Sequence, residues 1–416
     1  MSIRVPDKDI DLSSIKIEPV LKWHTLNCEL VTPMYGGGVT STVIDEQMPI
    51  RASSIRGQLR FWWRLLAKNK WQLGDDRTIR QLEFALWGGM GSGDTDGLAS
   101  QVFLRVSDIR NLKVEPWAEY ELNRNGDFKS IPTPEDWADA PYALFPAQGK
   151  KPGLPDSQAP HALAKAGLNF KLQLRFAKTM SDPQRQQVLE TLRWWVNFGG
   201  LGARSRRGLG SIKAVGLDEL KNVSTPLSAS DVAQAGCQLV VTKTSSSNAL
   251  QAWTTSVNTM QKFRQGPGVG RNKGNPRPGR SRWPEPDALR RLQNTHHANH
   301  RPEHPAGNIF PRAMFGLPII FHFVGAGEPR DTTLNLQNTQ RMSSPIILRA
   351  YFNGKNWYPS ALLLPHKAPN EMTLEPINRQ AIHVWRTGAD ELIQPIKDNG
   401  GGNPLQAFLR FFADQN

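Results

Sequence analysis

Apolar residues recur with two different periods along the first half of the chain, and these periods predict its strands and helices. Alternation of apolar and polar positions predicts strands over residues 21–30, 101–109, 168–176 and 211–217. Apolar positions three and four residues apart predict helices over residues 54–67, 77–87 and 181–199. In the first strand, His24 shares a face with Leu26 and Leu30, so we expect a core histidine there. The resulting β-α-β-β-α-β order, with one additional helix, is that of a ferredoxin-like unit.

The second half repeats a mixed pattern less clearly. It predicts strands over 238–244, 317–324, 345–352 and 357–364, and helices over 250–264, 287–293 and 404–413. Residues 228–236 are predicted to form a linker, and residues 110–165 a long insertion or loop. At 416 residues the chain is expected to form two domains, over 1–227 and 228–416. The expected fold class is α+β, with two tandem ferredoxin-like modules and loop insertions.

The composition excludes several classes of protein. The only cysteines, Cys28 and Cys237, are far apart and form no CxxC pair, which argues against a disulfide scaffold and a cysteine zinc site. No apolar run approaches the roughly 20 residues that span a bilayer, and the first residues lack the apolar core of a signal peptide. We therefore expect a cytoplasmic protein with no membrane partner, no cofactor and no bound metal.

The positive charge is concentrated in three segments. The formal net charge is +14, yet residues 51–70 carry a net +6, residues 193–213 a net +5 and residues 261–301 a net +8, so the rest of the chain is slightly acidic. Concentrated positive charge of this kind is typical of a surface that binds a polyanion, most often a nucleic acid.

The first basic segment contains a helix with a stripe of arginines. Arg56, Arg60 and Arg64 recur every four residues, Arg51 precedes the helix, and Trp63 falls beside the stripe. Ser53 or Ser54 is expected to cap the helix. Like charges at this spacing repel one another, so the phosphates of a nucleic acid would stabilise the stripe. The alternative is a solvated face whose acidic partners come from elsewhere in the chain.

The second segment combines glycine and arginine. Gly199, Gly200, Gly202, Gly208 and Gly210 surround a group of three arginines, Arg204, Arg206 and Arg207. Glycines let backbone N–H groups approach a phosphate, and arginines supply forked donors. The loop follows a helix and precedes a strand, which excludes a dinucleotide-binding fingerprint, and no P-loop motif occurs. The alternative is a helix C-cap followed by a flexible turn.

The third segment is rich in glycine, proline and basic residues. Its candidate phosphate contacts are Arg271, Lys273, Arg277, Arg280 and Arg282, and Trp283 could stack on a base. The alternative is a mobile, solvated loop. Four histidines follow, at positions 296, 297, 300 and 304; His296 and His300 have helical ligand spacing, but Pro302 and Pro305 interrupt a helix, which argues against a metal site.

Four motifs resemble those of the RAMP superfamily of CRISPR proteins, and more narrowly those of type III-B (Cmr) effector complexes. They are the stretch TPMYGGG with Gly36, Gly37 and Gly38, the helix SSIRGQLRFWWR, the turn LWGG and the loop GARSRRGLGS. A fifth stretch, RMSSPIILR from Arg341, is also similar to RAMP proteins.

The resemblance implies two tandem ferredoxin-like modules in a subunit of a ribonucleoprotein. It implies a place near the 3′ end of the crRNA, contacts with crRNA and single-stranded target RNA, and other Cmr/RAMP subunits as partners. It further implies a non-catalytic role in antiviral defence, with cleavage by other subunits. Two alternatives remain: an endoribonuclease, for which Asp45 and Glu46 are the acids nearest to the first basic helix, and a scaffold that contacts protein only.

Overall fold

The computed structural model describes residues 22–91, 96–135, 140–275, 279–337, 341–377 and 379–415. These residues form a mixed α/β structure in which the strands of every sheet pair in antiparallel fashion. In the helices described within these ranges, no stretch is long and apolar enough to cross a membrane.

The elements of the first half follow the predicted order. The strands are β1 (His24–Leu30), β2 (Met34–Tyr35), β3 (Val102–Arg110), β4 (Val114–Pro116), β5 (Ala118–Glu119), β6 (Thr133–Pro134), β7 (Ala162–Ala164), β8 (Asn169–Phe176) and β9 (Ile212–Gly216). The helices are α1 (Ala52–Asn69), α2 (Asp76–Trp87), α3 (Pro141–Leu144) and α4 (Asp182–Phe198). All four predicted strands and all three predicted helices of this half are confirmed, to within about three residues at each end.

The main sheet of this half has the strand order β3-β8-β1-β9. Leu26 lies opposite Leu172 in β8, and Cys28 lies opposite Ala214 in β9. The apolar members of the alternating pattern face α1 and α4 and form one core with them. The prediction of a core histidine is confirmed, because His24 is 7% exposed and its Nε2 atom lies 3.6 Å from a Glu219 carboxylate oxygen.

The second half contains more strands than its pattern predicts. The helices are α5 (Ala229–Ala233), α6 (Ala249–Gln265), α7 (Glu285–Gln293), α8 (Gln394–Lys397) and α9 (Pro404–Ala413). The strands are β10 (Gln238–Val241), β11 (Ile319–Phe321), β12 (Thr332–Leu336), β13 (Ile346–Phe352), β14 (Trp357–Leu363), β15 (Met372–Glu375) and β16 (Arg379–Ile382). They form two sheets, with the orders β10-β14-β13 and β11-β12-β15-β16. Helix α5 occupies part of the stretch that was predicted as a linker.

Of the two interpretations of residues 110–165, an insertion and a loop, the structure agrees with an insertion that has strands and a short helix of its own where it is described. Its short strands β4 and β7 form a sheet with β2. Trp117 and Leu144 are buried and belong to the same core as Trp253 of α6. The insertion is therefore held in place by apolar contacts with the second half.

The two halves share the sheet formed by β13 and β14. Leu348 and Leu363 point into the core beneath α6, whereas Ile347 and Leu362 point into the core of the first half. Between them, the guanidinium of Arg349 donates hydrogen bonds to the backbone carbonyls of residues 196, 199 and 212. Through Arg349, strand β13 therefore connects the end of α4 and strand β9 to the second half.

The beginnings of α1 and α4 differ. Ser181 caps α4 with a capping box that includes Gln184. The expected serine cap of α1 is wrong, because the N-cap residue is Arg51 and no side chain caps the helix. The first turn of α1 therefore lacks a side-chain partner for its backbone N–H groups.

Candidate nucleic-acid interface

Two glycine turns and the start of α1 meet at one place. The N–H of Ala203 donates to the carbonyl of Tyr35 at 2.7 Å, and the guanidinium of Arg51 donates to the carbonyls of Gly37 and Gly38. Gly202 has a φ of +69°, and a Cβ atom there would lie 2.5 Å from the Tyr35 carbonyl oxygen. Only glycine fits this close approach.

These residues line a pocket of about 250 Å³. Its walls include the turn of Gly37 and Gly38, the first turn of α1 with Arg51 and Ser54, and Gly202. A helix start and a cationic side chain favour negative charge. The structure thus brings together three of the sequence motifs, the last of which follows the first two by roughly 150 residues in the chain.

The Gly–Arg loop reaches from this pocket to the second half of the chain. Arg204 Nε donates to the carbonyl of Ala143 at 2.7 Å, and Arg206 Nη1 donates to the carbonyl of Ser344 at 2.7 Å. The guanidinium of Arg206 also lies 5.1 Å from the ring centroid of Phe61. The two arginines therefore bridge the insertion, α1 and the second half.

Two arginines of the second half extend this group, with Arg264 near Arg207 and Arg312 near Arg264. Arg264 at the end of α6 donates to the hydroxyl of Tyr142, and Arg312 lies 3.1 Å from Glu285. We call Arg204, Arg207, Arg264 and Arg312 the arginine cluster. The sequence did not indicate that Arg264 and Arg312 lie near the Gly–Arg loop, because they follow Arg204 by 60 and 108 residues. The one sequence feature that pointed to either of them was the position of Arg264 in the third basic segment.

The arginine cluster carries an excess of positive charge. Within the described ranges, Arg312 forms an ion pair with Glu285, while Arg204, Arg207 and Arg264 form none. Arg207 Nη1 and Arg264 Nε are buried without a hydrogen-bond partner. Burial, with smaller contributions from the neighbouring charges of Arg264 and Arg204, lowers the pKa of Arg207 to about 10, which still leaves the guanidinium charged at neutral pH. An anion beside the cluster would satisfy both its charge and its free donors.

The arginine stripe of α1 has an acidic partner from the neighbouring helix. Arg60 Nε and Arg64 Nη1 each lie 2.5 Å from the same oxygen of Glu83 in α2, and Glu83 is 4% exposed. Arg56 donates to the carbonyls of Trp87 and Val102 at 3.5 and 3.3 Å. This geometry favours the alternative interpretation, in which the acid comes from elsewhere in the chain.

Two tryptophans that were predicted to contact RNA, Trp63 beside the arginine stripe and Trp283 as a stacking residue, are not available to it. Trp63 and Trp283 are each 1% exposed and are therefore closed to a base. Trp63 lies in the core of the first half, where its ring centroid is 6.2 Å from that of Trp71. Trp283 packs edge-on against Phe263, at a centroid distance of 5.6 Å.

The third basic segment is ordered where it is described. Arg280 pairs with Asp287 at 2.9 Å, and Arg282 pairs with Asp398 at 3.0 Å, so these two predicted phosphate contacts already have carboxylate partners. Arg271 and Lys273 are exposed and stay candidate contacts. Arg277 lies outside the described residues.

The candidate metal ligands and catalytic acids are engaged in local contacts. Within the described residues, no three His, Cys, Asp or Glu side chains are close enough to hold a metal. His300 contacts Glu328, and His304 Nε2 lies 3.2 Å from the carbonyl of Arg282. Asp45 Oδ1 accepts the N–H groups of residues 47 and 48 at 3.1 and 3.0 Å, which makes it part of a turn.

The glycine turns, α1 and the Gly–Arg loop coincide with a known family pattern. The family model of the RAMP superfamily matches residues 27–213, slightly less than half of the chain. We call residues 27–213, which this family model matches, the RAMP segment. This RAMP segment contains the main sheet of the first half from Asn27 to Ile212 and ends just after the Gly–Arg loop. No curated protein matches the sequence significantly.

Several solved structures are similar to the whole chain. Cmr1 from Pyrococcus furiosus, in its apo form, is 16% identical, with a TM-score of 0.45, and the match covers 88% of this chain and 100% of Cmr1. A chain of the Type III-B Cmr-beta complex bound to cognate target RNA is 11% identical, with a TM-score of 0.44, and the match covers 90% of this chain and 99% of that one. A second Cmr-beta structure, with target RNA, AMPPnP and ssDNA, contains a chain that is 10% identical, with a TM-score of 0.44 and coverage of 91% and 98%.

Proposed function

We propose that this protein is a non-catalytic RNA-binding subunit of a type III-B CRISPR ribonucleoprotein, which holds crRNA or target RNA near the 3′ end of the crRNA. The RAMP segment and the sequence motifs that resemble type III-B proteins support the proposal. The other RAMP subunits of such a complex would be its protein partners. In this division of labour the protein contacts the RNA backbone and base pairing supplies the sequence specificity.

We further propose that the two halves are tandem ferredoxin-like modules. The strand order β3-β8-β1-β9 of the first half is the order 2-3-1-4 within its βαββαβ unit. In the second half, β10, α6, β13, β14 and α9 follow one another with the sheet order 1-3-2. The second module therefore has the same arrangement without a fourth strand in the described part of its sheet.

The arginine cluster is the observation that carries the functional proposal. Four guanidinium groups from both halves converge around Tyr142 with one carboxylate, and two of their donors are buried without a partner. Burying unpaired charge is costly, so the arrangement is favourable when a phosphate lies beside it. The exposed basic residues Arg271 and Lys273 would extend the contact along a strand.

The test is RNA binding by the full chain across a range of salt concentrations. Binding of a fluorescein-labelled single-stranded RNA is followed by anisotropy between about 50 and 300 mM NaCl. The variant Arg204→Gln/Arg264→Gln keeps amide donors at both positions but removes two charges. The plot of log K against log[salt] should become shallower by about 1.4, since each lost contact on a single strand contributes about 0.7.

A matched control removes the same charge elsewhere. Arg80 and Arg124 are exposed and have no partner among the described residues. The variant Arg80→Gln/Arg124→Gln should bind RNA like the wild type. An equal loss of RNA affinity in both double variants would mean that only the net charge of the protein matters. If the wild-type protein binds RNA negligibly, or binds it without dependence on salt, a scaffold that contacts protein only is favoured.

A further inference from the structure

A second cavity lies between the free edges of two sheets. β9 is the outermost strand of the first sheet, and β13 is the outermost strand of the sheet β10-β14-β13. Residues of both strands, the end of α4, the turn at 221–226 and the β13–β14 hairpin enclose about 310 Å³. This volume is at the lower end of the range of small-ligand sites, and suits one compact ligand. The cavity shares no lining residue with the arginine cluster.

The lining of this cavity is cationic. Lys213, Lys221 and Arg349 line it, and none of the described lining residues is Asp or Glu. Neither lysine forms an ion pair among the described residues. Arg349 is 3% exposed, and the partners of its guanidinium are backbone carbonyls, so its charge is not neutralised by a carboxylate. The cavity therefore favours an anionic group.

One wall of the same cavity is aromatic. Phe352 and Trp357 are cross-strand partners in the β13–β14 hairpin, with ring centroids 4.8 Å apart, and both rings are half-buried. The Nζ atom of Lys213 lies 4.7 Å from the Phe352 ring centroid. An aromatic surface directly beside a free ammonium group is suited to a planar ring that carries a phosphate.

We propose that this cavity binds a single nucleotide unit, with the base against Phe352 and Trp357 and the phosphate near Lys213 and Lys221. A phosphate alone would leave the aromatic wall unused, and an uncharged aromatic ligand would leave the ammonium groups unpaired. The unit is either a free mononucleotide or one nucleotide of an RNA strand, since both present the same chemistry. The site is independent of the proposed role of the arginine cluster.

Binding of adenosine 5′-monophosphate to the full chain tests the site. Calorimetric titration should show AMP binding at least tenfold tighter than ribose 5-phosphate, because the sugar phosphate lacks the ring. Lys213→Gln and Trp357→Leu should each weaken AMP binding about tenfold. Lys355→Gln, which changes an exposed lysine in the turn of the same hairpin, should leave it unchanged.

Photocrosslinking separates the two sources of the nucleotide. A single-stranded RNA that contains 5-iodouridine should crosslink to residues 352–357 if the unit belongs to a strand, whereas AMP binding without this crosslink indicates a free nucleotide. Equal binding of AMP and ribose 5-phosphate, or AMP binding that survives both Lys213→Gln and Trp357→Leu, would overturn the proposal. RNA binding through the arginine cluster would persist in these variants, so the two proposals fail separately.

Discussion

Replacing the arginines that contact Glu83 should destabilise the first half of the protein. Arg60 and Arg64 on α1 share one carboxylate oxygen of Glu83 on α2, and the side chain of Glu83 is 5% exposed. In the double variant Arg60→Gln/Arg64→Gln, this carboxylate stays buried without a cationic partner. The arginine side chains are 34% and 45% exposed, so in the converse variant Glu83→Gln both guanidinium groups can still reach water.

The expected loss of stability depends on which partner is left buried, since Glu83 is shielded from water and the two arginines are not. A hydrogen bond to a charged group contributes about 1.5–3 kcal/mol to stability. Because solvent screens the partly exposed arginines, we expect the two bonds from Arg60 and Arg64 to Glu83 to contribute about 2–4 kcal/mol in total. Stranding a buried carboxylate costs about 3–5 kcal/mol, so we expect about 3 kcal/mol for the arginine variant and about 1–2 kcal/mol for Glu83→Gln. The triple variant Arg60→Gln/Arg64→Gln/Glu83→Gln should be more stable than the double arginine variant, because it no longer buries an unpaired carboxylate.

Thermal and urea unfolding, followed by tryptophan fluorescence, measure these differences. A loss of about 3 kcal/mol corresponds to roughly 6–12 °C in Tm for a unit of 150–250 residues. The control Arg77→Gln/Arg80→Gln removes two exposed arginines of α2 and should shift Tm by less than about 2 °C. A double variant that melts like the wild type but binds RNA more weakly would refute the structural role of Glu83 and restore the stripe as an RNA contact.

Three further predictions concern reactivity, acid stability and catalysis. Burial raises the pKa of the thiols of Cys28 and Cys237, to about 12 for Cys237. Both cysteines should therefore react with a thiol reagent at pH 8 only after denaturation. Rapid labelling of the native protein would contradict their burial. Burial opposes the ionisation of Asp287, but the hydrogen bond from the backbone N–H of His304 and a guanidinium partner outweigh burial and hold the pKa of Asp287 below 3.8. The ionised carboxylate therefore stabilises the folded protein above about pH 4. This stabilisation is lost as the pH falls through the folded-state pKa. Asp287→Asn should therefore lower stability at pH 7 by about 1–3 kcal/mol and flatten the acid limb of the unfolding profile, whereas a profile parallel to that of the wild type would exclude this role. Purified protein with labelled RNA and Mg²⁺ should leave the RNA intact, because Asp45 is bound into a turn; cleavage that disappears in Asp45→Ala would show an endoribonuclease.

Periodicity was sufficient to predict the sheet of the first half, because long strands with one buried face leave an unmistakable alternation. β8 alternates buried and half-buried residues over its whole length, from Asn169 to Phe176. β12 and β15 are five and four residues long, so their alternation is a weak signal, and they were not predicted; the equally short β10 was predicted only as part of the longer strand 238–244. The antiparallel ladder between them depends on contacts 40 residues apart in sequence, such as Leu334 with Leu374.

The candidate site was predicted only in part, because spacing on one element does not show what packs against it. The stripe on α1 was placed correctly along the helix, but α2 brings Glu83 onto it, and Trp63 on its flank is buried in the core. The Gly–Arg loop was identified from composition, whereas Arg264 and Arg312 join it through tertiary packing of the second half. Local pattern therefore identified the first-half motifs and could not supply their partners.

Ion pairs, rather than the density of basic residues, separate structural arginines from candidate RNA contacts. In the most uniformly basic segment, 51–70, four of the six basic residues pair with acids from outside it: Arg60, Arg64, Lys68 and Lys70. In 193–213, by contrast, Arg193 has a carboxylate partner, while Arg204, Arg206, Arg207 and Lys213 have none among the described residues. Charge that is neutralised within the fold adds little to the attraction of a polyanion, and unpaired charge adds most. The proposed RNA contacts are therefore expected around the Gly–Arg loop rather than along α1, although α1 has the more regular basic pattern in the sequence.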